Sequence, residues 1–264
     1  MSITIAPLFS GSSGNSIFIK TDKTKILIDA GKTCKKIETE LAKIGESIAD
    51  LDGILVTHEH SDHIKGLEII TKKYDVPVYA SCGTWQCMAE KLTAIKDCNI
   101  REITTEDFYI NDICVQPFDI SHDAAQPFGY ALDDGEKKIS VLTDLGRCTK
   151  SIVDTVGDSS IVLLEANHDV DMLSAGKYPY YLKRRILSAS GHLSNEACAE
   201  VAVALARNGV RGILLGHLSI NNNAPSLAYQ TVVGRLLSEG IETGKHIAVA
   251  VAKREEYTGV FKAK

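Results

Sequence analysis

The feature that most constrains this chain is an apolar tetrapeptide, Gly53-Ile54-Leu55-Val56, that runs directly into Thr57-His58-Glu59-His60-Ser61-Asp62-His63. The β-branched, leucine-rich run predicts a strand, so three imidazoles and a carboxylate fall at a strand end. Alternate side chains of an extended segment point to the same side. His58 and His60 therefore reach one ion, and Asp62 and His63 turn toward a second. The nitrogen and oxygen ligand set suits Zn2+, and its carboxylate also admits Mn2+ or Fe2+. The bland alternative is a solvated loop that happens to be rich in histidine. We take two divalent metal ions as the expected cofactors.

Around this motif the N-terminal half reads as short strands joined by tight turns: 3–8, 16–20, 25–29, 53–56, 76–80, 114–120, 128–132 and 139–143. Their β-branched content and Gly, Asp or Asn bounds support the assignment. Helical segments are expected over 34–44, 64–74 and 83–92. After a strand at 159–165 the balance shifts toward helix. Ser194 stands where an N-cap belongs, and 196–207 continues with strong helix formers until Asn208-Gly209. A strand at 212–215, a helix at 225–238 and a strand at 246–251 close the chain. Many strands and several helices without strict alternation imply a layered α/β sandwich. No repeat, low-complexity segment or long linker appears, so residues 1–264 are expected to form a single domain.

Composition narrows the function classes. The formal net charge is −5, which argues against a protein that coats nucleic acid through its overall field. It leaves room for an enzyme that handles a phosphate at one locally positive point. The apolar stretches fall far short of the roughly 18 residues of a membrane span, and Met1–Pro7 has no basic segment followed by an apolar one. Seven cysteines without a Cys-x-x-Cys pair read as reduced thiols, so a cytoplasmic location is expected.

The His-x-His-x-Asp-His motif resembles the signature of the metallo-β-lactamase fold superfamily. Within it, Leu8-Phe9-Ser10-Gly11-Ser12-Ser13-Gly14-Asn15-Ser16 and Ile28-Asp29-Ala30-Gly31 resemble the WalJ/YycJ-like hydrolases, and the likeness runs over essentially the whole chain. The resemblance implies a four-layer αββα sandwich. It also implies three further ligands: His122 in Ile120-Ser121-His122-Asp123, Asp144 in Leu142-Thr143-Asp144-Leu145, and His217 in Leu215-Gly216-His217-Leu218. His58, His60 and His122 then hold one metal, Asp62, His63 and His217 the other, and Asp144 bridges.

Two divalent ions hold a bridging water, lower its pKa and clamp both oxygens of a displacement. Two ions less the two aspartates and a hydroxide leave about one positive charge in a low-dielectric cleft, which favours an anionic substrate. Asp62 is the candidate for orienting the nucleophile. Glu165, in Leu164-Glu165-Ala166-Asn167-His168, and His192, in Gly191-His192-Leu193-Ser194, resemble the acidic and His pair of phosphodiesterases such as the tRNA 3′-processing enzymes. That resemblance implies that His192 contacts or protonates an oxygen at the scissile phosphate while Glu165 fixes its orientation. His168 is open between a role in the site and a local hydrogen bond, and Asp29 between a turn cap and a partner for a ligand imidazole. The run Ser10–Asn15 is either an anion-binding nest or a plain turn. Tyr180-Tyr181-Leu182-Lys183-Arg184-Arg185 reads as a solvated helix face or as a guide for a nucleic-acid backbone.

Only 22 positions separate His122 from Asp144, too few for the arm of the tRNA 3′-processing enzymes. The length leaves no space for a β-CASP insertion, and there is no export signal of a secreted β-lactamase. The reading is a metal-dependent phosphodiesterase or exonuclease with nucleic acid as substrate, DNA ahead of RNA, acting from a 5′ end by the family analogy. The alternatives are a small-molecule metallohydrolase acting on a thioester, lactone or cyclic phosphate, and a non-catalytic metal-dependent nucleic-acid-binding module.

Overall fold

The computed structural model describes residues 3–263, which divide into two compact units: 3–119 with 124–137 and 253–263, and 120–123 with 138–252. The first holds β1 (Thr4–Phe9), β2 (Ser16–Lys20), β3 (Lys25–Ile28), α1 (Cys34–Lys43), β4 (Gly53–Leu55), α2 (Ser61–Ile64), α3 (Leu67–Lys73), β5 (Val78–Ser81), α4 (Cys82–Met88), β6 (Ile100–Ile103), β7 (Phe108–Ile110), β8 (Ile113–Asp119) and β9 (Phe128–Asp133). The C-terminal strand Phe261–Lys262 pairs antiparallel with β1, and β1, β2 and β3 pair antiparallel in turn. From β3 the sheet continues parallel through β4 and β5 to β6. Strands β7, β8 and β9 form an antiparallel meander. Leu8, Phe18, Leu27, Ile54 and Val56 from the sheet meet Ile37 and Leu41 of α1 and Leu67 and Ile70 of α3 in one apolar cluster. Each such side chain, fully buried, contributes about 1.5–3 kcal/mol before entropy is subtracted.

The second unit is built on four parallel strands: β10 (Lys138–Leu142), β11 (Ile161–Glu165), β12 (Gly212–Gly216) and β13 (Ala248–Val251). Parallel neighbours need crossovers, and α5 (Lys150–Val156), then α6 (Val170–Ala175), α7 (Tyr180–Ile186) and α8 (Asn195–Arg207), then α9 (Pro225–Ser238) supply them. All five residues of β11 are buried, as are the last four of β12. That explains why both read as unbroken apolar runs rather than alternating ones. Helix α8 opens with the Ser194 hydroxyl accepting from the Ala197 amide, the cap expected from sequence, and packs along α9 and α5.

Several expected elements need correction. The helix expected over 64–74 is two helices, because the Gly66 amide leaves the helical ladder to donate to Ala30 O (2.8 Å). A Cβ at Gly66 would lie 2.2 Å from Lys32 O, so no other residue permits this approach. The helix expected over 83–92 stops at Met88. Strands β6 and β7 and helix α5 were not expected: Arg101 and Glu102 interrupt the apolar pattern of β6, and β7 has only three residues. Among the described residues no helix is long and apolar enough to cross a membrane.

Candidate metal centre

In the first unit, the ends of two parallel strands carry the motif. Register pairs Ile28 with Leu55, so Asp29 and the segment Val56–His58 leave β3 and β4 side by side at their carboxyl ends, where ligands of parallel sheets bind. Asp29 adopts a left-handed backbone (φ 62°) and is 2% exposed. Its Oδ1 accepts from the Thr57 amide (2.8 Å), and its Oδ2 from the Thr57 hydroxyl (2.9 Å) and His63 Nδ1 (2.7 Å). Asp29 therefore holds an imidazole of the motif as well as shaping the turn.

These bonds determine tautomers. The Thr57 hydroxyl proton is committed to Asp29, so Thr57 Oγ1 accepts from His58 Nδ1 at 3.0 Å. His58 and His63 thus both carry the proton on Nδ1 and present a lone pair on Nε2, the arrangement a carboxylate partner imposes on ligating imidazoles. His58 Nε2 lies 3.0 Å from His60 Nδ1. Two nitrogens on one tetrahedral zinc, each bonded at about 2.0–2.1 Å, stand roughly 3.3 Å apart, so this spacing fits a shared ion. Asp62 Oδ2 lies 3.6 Å from His63 Nε2; the Asp62 side chain is a quarter exposed, whereas His63 is buried.

Backbone packing holds the motif in place. The Asn15 amide donates to Asp62 O (2.8 Å) and the Ala30 amide to His63 O (2.7 Å). A Cβ at Gly31 would lie 1.7 Å from Asp62 O. The run Ser10–Asn15 is a turn closed on itself: Gly14 N–H donates to Gly11 O, and Gly11 N–H to Asn15 Oδ1. Those amides are spent on the turn, which serves as a brace for Asp62.

In the second unit, the carboxyl ends of β10, β11 and β12 bring Asp144, Glu165 and His217 together; register pairs Leu142 with Leu164 and Glu165 with Gly216. Asp144 and His217 both sit in left-handed backbone (φ 59° and 54°), a conformation that costs a non-glycine residue about 1–2 kcal/mol and concentrates at functional sites. Glu165 is the hub. Its Oε1 accepts from His192 Nδ1 (2.8 Å) and His217 Nδ1 (2.6 Å), and its Oε2 from the amides of Leu145 (3.0 Å) and Leu193 (3.1 Å). Burial works to raise its carboxyl, but the two imidazoles outweigh burial and hold it below the usual carboxylate range. An ionised Glu165 obliges both histidines to donate from Nδ1, which leaves Nε2 of each for other work.

His122 completes the group. Its Nδ1 donates to Gly191 O (3.2 Å) and its Nε2 lies 3.8 Å from Asp144 Oδ1. Burial lowers its pKa, against the Asp144 carboxylate acting the other way, so the ring is neutral, the form that ligates metals. Asp144 Oδ1 also stands 3.4 Å from His217 Nδ1 and 3.6 Å from His192 Nδ1. His168 is different: it is 1% exposed, neither ring nitrogen makes a hydrogen bond among the described residues, and burial lowers its pKa.

The structure thus gathers His58, His60, Asp62 and His63 in one unit, and His122, Asp144, Glu165, His192 and His217 in the other. Imidazoles held through Nδ1, several of them by the buried Asp29 and Glu165, and neighbouring carboxylate oxygens are the kinds of group that can hold a divalent metal. Sequence reading missed Asn15, Thr57 and the link from Glu165 to His217. Thr57 adjoins the motif and was the one with a visible signal.

Residues 24–217 match the family model described as the beta-lactamase superfamily domain. Exodeoxyribonuclease WalJ of Streptococcus pneumoniae serotype 2 (strain D39 / NCTC 7466) is 42% identical over 242 residues, which cover 90% of this chain and 89% of WalJ. Exodeoxyribonuclease YycJ of Bacillus anthracis is 38% identical over 256 residues, 93% of each chain. The metallo-beta-lactamase fold protein YhfI of Bacillus subtilis superposes with a TM-score of 0.74 at 14% identity, covering 99% of this chain and 100% of YhfI. That likeness shows the α/β fold expected from sequence. The chain belongs to the beta-lactamase superfamily, as a relative of the WalJ and YycJ exodeoxyribonucleases.

Proposed function

We propose that this protein is a metal-dependent exodeoxyribonuclease that hydrolyses phosphodiesters of DNA. The observation that carries the reading is that likeness to two exodeoxyribonucleases along nine-tenths of the chain coincides with a full complement of metal-ligating side chains. We infer that His58, His60 and His122 serve one divalent ion and Asp62, His63 and His217 a second, with Asp144 common to both. Zinc suits the imidazole-rich set best, with manganese or iron as substitutes. When bound, such ions supply an activated water and a charge clamp for an anionic diester.

The chain's own residues do the rest. Asp62, whose side chain is a quarter exposed, orients the attacking water. His192, held through Nδ1–H by Glu165, takes up at Nε2 the proton released as the water attacks and delivers it to the leaving oxygen. Glu165 keeps His192 and His217 in one tautomer, so one carboxylate serves both binding and proton transfer. Asp29 does the same for His63. Since the family match runs from 24 to 217, through segments of both units, we take residues 1–264 as one functional domain. Seven cysteines, none bonded to another, fit a reducing compartment such as the cytoplasm.

The test is a substrate panel with the fully metallated protein: duplex DNA, single-stranded DNA, RNA, and a set of thioester, lactone and cyclic-phosphate small molecules. DNA digestion at rates well above those on RNA and the small molecules is the expected result. Turnover confined to the small molecules would replace the nuclease reading with a small-molecule hydrolase.

A further inference from the structure

Helix α7 carries the most conspicuous surface feature that the proposed chemistry does not use. Tyr180 and Tyr181 are 76% and 75% exposed, and Leu187, just past the end of the helix, is half exposed. Residues 176–187 contain Lys177, Lys183, Arg184 and Arg185 and no acidic residue, within a chain of net charge −5. Arg184 is exposed, its guanidinium stands 5.9 Å from the Tyr180 ring centroid, and it makes no ion pair among the described residues. Lys183 and Arg185 are tethered, Lys183 Nζ to Ser174 O (2.6 Å) and Arg185 to both oxygens of Asp123.

Those tethers tie α7 to the residues of the site in its own unit. Arg185 grips the residue next to His122. The His192 amide donates to Ile186 O (3.0 Å), the last residue of α7, and the Ser121 hydroxyl donates to Ala189 O (2.7 Å). A Cβ at Gly191 would lie 2.2 Å from Ile186 O, and one at Gly146 2.4 Å from Ala189 O. The helix is therefore packed without slack against the segments that present His122, Asp144 and His192.

Resting on the nuclease reading, we propose that the exposed face of α7 is a platform for single-stranded DNA next to the end being digested. Tyr180 and Tyr181 stack unpaired bases, and Arg184 with Lys177 holds backbone phosphates. Two features select this occupant. Aromatic faces this exposed are useful to bases that are already unstacked, because a duplex hides its base faces and offers only phosphates to cations. The local surplus of positive charge in an acidic chain complements a polyanion.

The test measures binding of a fluorescein-labelled, nuclease-resistant phosphorothioate oligo(dT) by anisotropy, with digestion of overhanging and blunt duplexes and hydrolysis of bis(p-nitrophenyl) phosphate in parallel. The Tyr180→Ala/Tyr181→Ala variant is expected to bind at least about fivefold more weakly, with Phe at both positions restoring affinity. Arg184→Ala is expected to reduce the slope of log K against log salt by about 0.7. Both variants keep the wild-type rate on bis(p-nitrophenyl) phosphate and lose their advantage on overhangs. Wild-type affinity and overhang digestion in the tyrosine variant would overturn the platform while leaving the nuclease intact. Tyrosine-dependent binding to phosphatidylglycerol vesicles with no effect on the oligonucleotide would overturn it in favour of a membrane surface. Tyrosine-dependent oligonucleotide binding by a wild-type protein that digests no DNA would leave the platform standing and remove the nuclease reading.

Discussion

Two buried carboxylates, Asp29 and Glu165, organise the residues around them, and neither belongs to the ligand set. Asp29 holds His63 through Nδ1 and anchors Thr57, which in turn holds His58. Asp29→Asn keeps the shape but offers an N–H where an acceptor is needed. It should weaken metal binding by about 10–100-fold, read by competition with a chromophoric chelator; unchanged affinity would show that His63 needs no such partner. Glu165 and His192 separate two roles. Glu165→Gln disturbs His192 and His217 together and is expected to lower both metal content and turnover. His192→Ala is expected to retain full metal content while losing about 10²–10⁴ in kcat on DNA, and a loss of metal instead would make His192 a ligand. The His-x-His-x-Asp-His residues were plain in the sequence because they are contiguous. Asn15 and the double duty of Glu165 were not, since they act through bonds to residues far along the chain that only folding brings near, and Thr57, though it adjoins the motif, shows its role only through its bond to Asp29.

At the scale of elements, the site residues follow from strand ends. The carboxyl ends of β3 and β4 carry Asp29 and His58, and those of β10, β11 and β12 carry Asp144, Glu165 and His217. Apolar runs followed by a polar residue made these strands legible, and α8 was legible from its cap. The break between α2 and α3 was not, because Gly66 is a packing requirement set by Lys32 O and not a signal within its own helix. Not every helical glycine has such a reason. Gly234 lies in the exposed interior of α9, and a Cβ there meets nothing within 4 Å. Gly234→Ala is therefore expected to stabilise the fold by about 0.5–1 kcal/mol, read as a rise in denaturation midpoint without a change in slope. A lower midpoint would point to a contact on that face.

For the whole molecule, buried titrating groups set how stability depends on pH. His168 has its pKa lowered from 6.5 by burial, so below that value the unfolded chain takes up a proton that the folded chain refuses. Its contribution is complete above about pH 6.5 and is lost as pH falls toward the folded pKa. Glu165, held below 4.5, acts in the same direction at lower pH: its contribution is present above that value and lost as pH falls through its folded pKa. The melting temperature should fall from pH 7 to pH 5, and His168→Gln should flatten that part of the profile. A profile unchanged by the substitution would show that other groups govern it.

Nuclease action is tested most directly by release of label from 5′-labelled and 3′-labelled duplex DNA by wild type and Asp62→Asn, with folding and metal content measured for each. Wild type is expected to remove the 5′ label from DNA as short products, and Asp62→Asn, folded and metallated, is expected not to. A fully metallated wild type that leaves both ends of every DNA intact would contradict the nuclease reading.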